Sequence, residues 1–148
     1  MNGLPPNRER GLGDFVRYEY ILLGDLRDLL EEDPGEQNSR WLVAVLDALL
    51  DTVPREFELK SENGYLSDVL NANPHWEAQV EQLRAEYVRL CVWLEELRNR
   101  VVSGTPFREI ADRLRKELSE WIEAVQDHHR RERQMVQVSA NLEVGCGD

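Results

Sequence analysis

Two cysteines among 148 residues, Cys91 and Cys146, are too few and too poorly spaced for a disulfide framework or a zinc knuckle. A reduced, cytoplasmic protein is the expectation. No apolar run reaches the length of a membrane span, and Met1-Asn2-Gly3-Leu4-Pro5-Pro6 holds no apolar core of signal-peptide length, so a soluble, non-exported chain is expected. Basic residues are outnumbered. With 18 Lys and Arg against 29 Asp and Glu, the formal net charge of -11 disfavours nucleic acid and anionic membrane surfaces through long-range repulsion. Small molecules, metal cations and protein partners, a second copy of the chain included, remain. Sustained alternation of apolar and polar residues is missing too, and with it any signal for strands. There is no nucleotide-binding glycine loop, no Ser-His-Asp order, no zincin helix and no EF-hand loop.

What the chain does contain is helical periodicity over the length of one domain, residues 1–148, with 41% hydrophobic residues to build a core. Residues 1–11, with two prolines, read as a loose tail, and residues 143–148 as a closing tail. The first predicted helix covers residues 14–32, with Val16, Tyr20, Leu23, Leu26 and Leu30 on its inner stripe, and Asp33-Pro34-Gly35 ends it. Ser39 is the expected cap of a second helix over residues 39–70. Its stripe runs Leu42, Leu46, Leu49, Val53, Glu56 or Phe57, Lys60 and Gly64, and Pro54 is expected to kink or split it. Asn73-Pro74 sets a cap before a first-turn proline, and Val80, Leu83, Tyr87, Leu90, Leu94 and Leu97 continue to about residue 102. After Ser103-Gly104-Thr105-Pro106, the last helix covers residues 110–142. Four long helices and short loops predict an all-α, antiparallel up-down-up-down four-helix bundle.

Polar residues interrupt these stripes. On the last helix Ile110, Leu114, Leu118, Trp121 and Val125 are followed, at the same three-and-four spacing, by His128, Glu132 and Met135, so a histidine and a glutamate sit where leucines belong. Burying them without partners costs several kcal/mol, which calls for a metal or for other polar side chains. Glu56 and Lys60 are likewise four apart on the inner stripe of the second helix. The first and third helices echo each other as Arg17-Tyr18-Glu19-Tyr20-Ile21 and Arg84-Ala85-Glu86-Tyr87-Val88, as though two helix pairs were related by a pseudo-twofold. A rival register would turn Glu58 and Glu62 inward. Rotation of about 100° per residue puts Glu58, nine residues beyond core Leu49, on the opposite face with Asp47 and Asp51, unless Pro54 resets the phase.

Together these residues resemble the hemerythrin-like, or HHE cation-binding, family, a four-helix bundle that holds two iron ions. The resemblance rests on the Glu-Tyr pairs in place of Glu-His, on Glu56-Phe57-x-x-Lys60 followed by Asn63-Gly64-Tyr65-Leu66, on His128-x-x-x-Glu132, and on the closing Val-Gly-Cys-Gly-Asp. It implies ligand-equivalent positions at Tyr20, Glu56, Lys60, Tyr87, His128 and Glu132. Only His128 and Glu132 keep the family's residue type. Lysine is the telling change, because an ammonium group has three donors and no lone pair and repels a dication. A closed polar network is expected instead, in which Lys60 and a protonated His128 balance Glu56 and Glu132 while the Tyr20 and Tyr87 hydroxyls donate to the carboxylates. No cofactor is then expected. Were metal retained, tyrosinates, glutamates and one histidine would suit iron or manganese.

The expected function follows in three forms: a non-enzymatic structural or interaction module, a metal-binding protein of altered coordination acting in oxygen, iron or redox sensing or storage, or an enzyme using Lys60 or a tyrosine as acid or base. Elsewhere the plain readings apply. His75, His129, Arg130, Arg131 and Arg133 are expected in solvent. Trp41, Trp76, Trp93 and Trp121 are expected to pack, and Cys91 to act as a small hydrophobe.

Overall fold

A computed structural model describes residues 11–32, 35–62 and 65–147. Four long helices and one short one follow in order: α1 (Leu12–Glu31), α2 (Glu36–Glu62), α3 (Tyr65–Ala72), a 3-10 turn (Pro74–Trp76), α4 (Glu77–Val101) and α5 (Phe107–Gly147). Strands are absent among the described residues. No helix there is long and apolar enough to cross a membrane.

The stripes of α4 and α5 fold as periodicity requires. Val80, Leu83, Tyr87, Leu90, Leu94 and Leu97 are buried, as are Leu114, Leu118, Trp121, Val125, His128, Glu132 and Met135. With Leu42, Leu46, Leu49, Val53 and Phe57 of α2 and Leu22, Leu23 and Leu26 of α1, they form one contiguous core. Trp121 is fully buried, and its indole Nε1 donates to the Leu90 carbonyl at 2.9 Å, tying α5 to α4. Phe57 stacks on Tyr87, centroids 4.2 Å apart at 14°.

Several expectations are corrected. α2 begins at Glu36, so Ser39 lies inside its first turn rather than capping it. Pro54 does not split α2, which runs through it to Glu62. Asn73 makes no side-chain cap and instead donates from Nδ2 to Ser139 Oγ on α5 at 3.1 Å. α5 starts at Phe107 and continues to Gly147, so its backbone takes in most of the expected closing tail. Trp41 is 58% exposed rather than packed, while Trp76 and Trp93 are partly buried. The expected N-terminal tail and the Asn63-Gly64 motif lie outside the described residues. Between α4 and α5, Gly104 takes φ +91, a left-handed conformation that glycine adopts without the Cβ clash facing other residues.

Candidate functional site

The site begins with the last turns of α2. Glu56 and Lys60 are each 3% exposed, one turn apart, with the glutamate on the N-terminal side as favours a helical ion pair. Lys60 Nζ lies 2.6 Å from Glu56 Oε1 and 2.7 Å from Glu132 Oε1 on α5. Two carboxylates thus hold one buried ammonium, a pairing that offsets the large cost of removing each charge from water. Glu58 is exposed, so the rotation argument picks the correct face; the Glu62 side chain lies outside the described residues.

The first helix contributes a residue that periodicity did not select. Tyr20 is 78% exposed, and Glu19 is the buried one at 3%. The inner stripe of α1 is Phe15, Glu19, Leu22 and Leu26, one residue out of phase with the expected Val16 and Tyr20. One step of the helix is about 100°, enough to exchange an aromatic for an acid. Burial pushes the Glu19 carboxyl above its usual range, even with Glu56 and Lys60 beside it. Burial, and then the facing Glu19, push Glu56 up to about 8, with Lys60 pulling the other way. Two carboxyls that face each other in a dry site cannot both carry charge without a proton or a cation between them.

Two adjacent histidines of α5 answer the two Glu-Tyr pairs. His128 Nδ1 lies 2.6 Å from Glu86 Oε1 on α4, and His129 Nε2 lies 3.1 Å from Glu19 Oε1 on α1. His129 is therefore part of the site and not a solvated side chain. Arg131 stays in solvent as expected, at 41% side-chain exposure, while donating to Glu86 and, at 3.0 Å from Nε, to Asp127. Burial raises Glu86 less than the hydrogen bonds from Arg131 and His128 lower it, so it stays ionised. His128, 1% exposed, is pushed down by burial more than Glu86 and Glu132 raise it. The expected protonated imidazole is thus replaced by a neutral one that donates from Nδ1 to Glu86, leaving Nε2 without a hydrogen-bond partner and 4.0 Å from Glu132 Oε2.

Neither tyrosine donates to the cluster as expected. Tyr20 faces outward, and the buried Tyr87 hydroxyl lies against the Cys91 thiol rather than against the carboxylates. Burial, and then Cys91, Glu19 and Glu56, hold the Tyr87 phenol well above its usual pKa, which opposes tyrosinate ligation.

Glu19, Glu56, Lys60, His129 and Glu132 all line a cavity of about 690 Å³ between α1, α2 and α5, with Val16, Tyr20, Arg130 and Arg133 at its exposed rim. Within it, one oxygen each of Glu19 and Glu56 and one ring nitrogen of His129 lie within 4.8 Å of one another. The local signals for Glu19 and Glu86 were present in the repeated Glu-Tyr pairs, where the acid reaches a histidine in both copies. Compared with known proteins, the chain matches no family model, no curated protein and no solved structure.

Proposed function

We propose that this protein is an up-down-up-down bundle of the hemerythrin-like kind in which a lysine-centred ion cluster stands where the family holds two irons. On this reading it works in the cytoplasm as a non-enzymatic structural or interaction module. The observation that carries the reading is Lys60, buried at 3% and held by Glu56 and Glu132 at 2.6 and 2.7 Å. An ammonium group between the two carboxylates has no lone pair to offer a metal and repels one nearby, so a pair of irons does not fit these residues. The expected iron or manganese set of Tyr20, Glu56, Tyr87, His128 and Glu132 loses further support because Tyr20 faces solvent and Tyr87 is held protonated.

The net charge of -11 disfavours nucleic acid as a partner and leaves protein partners open. Lys60, the one amine in the cluster, is engaged by two carboxylates at 2.6 and 2.7 Å, which supports a structural rather than a catalytic role for it. The test is aerobic loading of the purified chain with ferrous iron, beside Lys60→Glu. The wild-type chain is expected to stay colourless and to retain fewer than two irons. Two irons per chain with an intense visible band would overturn the reading.

A further inference from the structure

We infer that the cavity between α1, α2 and α5 is a site for a single divalent cation of the first transition row, held by Glu19, Glu56 and His129. The one-residue phase of α1 and the second histidine of α5 create this site, which shares only Glu56 with the set implied by the family resemblance. The three donor atoms converge within 4.8 Å. Glu56 Oε2 is buried and receives no N–H or hydroxyl donor among the described residues; what joins it to Glu19 is a proton shared between the two carboxyls, and a cation held there would take that proton's place. This oxygen belongs to a side chain that is 3% exposed and lines the cavity beside Glu19. Two carboxylates brought together in a dry wall leave a place for positive charge.

Charge counting points to an ion of charge two. Glu19, Glu56 and Glu132 carry three negative charges when ionised, and Lys60, paired to the last two, returns one. A dication brings the sum to zero with His129 neutral. The His129 Nε2 atom lies 3.1 Å from Glu19 Oε1, so a neutral ring there can turn from that carboxylate to a cation placed between them. Two carboxylates and one imidazole suit manganese, ferrous iron or zinc rather than copper(I), and the cavity leaves room for water to complete the coordination. Lys60 repels a cation here too, but it occupies only one oxygen of the shared carboxylate and leaves the other open to a single ion. The lysine's partner atom is Glu56 Oε1, and the oxygen proposed for the metal is Glu56 Oε2.

The experiment is calorimetric titration of the full chain, stripped with EDTA, with Mn2+ and separately with Zn2+. One ion per chain is expected. Glu19→Gln and His129→Gln should each weaken binding at least tenfold, and Glu58→Gln, on the exposed face of α2, should leave it unchanged. His129 sits nearer the surface than Glu19, and its substitution keeps the test available should Glu19→Gln fail to fold by circular dichroism. No binding of either ion, or binding that survives both substitutions, overturns the proposal. The iron-loading and Lys60 tests decide the non-enzymatic reading separately, since one cation without a visible band is compatible with it.

Discussion

Lys60 and Glu132, 72 residues apart in the chain, meet at 2.7 Å inside the core, and the same ammonium group lies 2.6 Å from Glu56. Removing it leaves two buried carboxylates facing each other. Lys60→Ala is expected to destabilise the chain by about 3–5 kcal/mol, the usual cost of stranding a buried charge. Lys60→Glu should cost at least as much in the absence of metal. Urea melts monitored by circular dichroism measure both, and an unchanged midpoint for Lys60→Ala would refute the buried ion cluster.

Stability should fall between pH 6.5 and 8 in metal-free protein. Glu56 is raised from 4.5 to about 8, so the folded state holds a proton that the unfolded chain releases above 4.5; this contribution is complete at low pH and is lost as pH rises through 8. His128 and His129, both lowered, act oppositely, but only below their unfolded value of 6.5. Above 6.5 the carboxyl effect is left, at about 1.4 kcal/mol per pH unit for each proton, with the raised Glu19 acting in the same direction as Glu56. Glu56→Gln should flatten this slope in thermal melts; a slope that persists unaltered would assign it elsewhere.

Glu86 holds His128 from α4 and is held in turn by Arg131. Glu86→Ala removes the acceptor for a buried ring N–H and should cost about 1–3 kcal/mol. The effect should shrink below pH 4.5, because a lowered carboxyl pKa stabilises the fold above the unfolded value and the benefit is lost as the carboxylate is protonated. Equal destabilisation at pH 7 and pH 4 would show that packing, not the hydrogen bond, is at stake.

Tyr87→Phe should change stability by no more than about 1 kcal/mol, since among the described residues the hydroxyl meets nothing stronger than the weakly bonding Cys91 thiol while the ring keeps its stack on Phe57. A loss above about 1 kcal/mol in denaturant titration would reveal a stronger partner for the hydroxyl.

Pro54 is exposed in the interior of α2, where it lacks the N–H that would bond the Leu50 carbonyl one turn back. Pro54→Ala should raise stability by roughly 1–3 kcal/mol. A lower melting temperature would mean that the break in hydrogen bonding is needed to aim Glu56 and Lys60 inward.

The chain's own pattern determined the helical class, the stripes of α4 and α5, and the inward face of α2 at Glu56 and Lys60. Each stripe repeats over several turns, so its direction is averaged over many residues and survives a local exception. The interior direction of α1 was determined in this way only at Leu23 and Leu26, which are buried as expected, and not in its first turns. Val16 and Tyr20 are apolar enough to pass for core, and a shift of one residue turns them to solvent and brings Phe15 and Glu19 inward. Only the tertiary structure decides between those phases, because a buried acid such as Glu19 is tolerated where Glu56, Lys60 and His129 already stand. The same holds for the two histidine partners. Glu86 and His128 are 42 residues apart and Glu19 and His129 are 110, so no local rule of spacing reaches them. Their pairing is set by which helices pack together, and it is packing that turns isolated polar exceptions along separate stripes into one charged cavity wall.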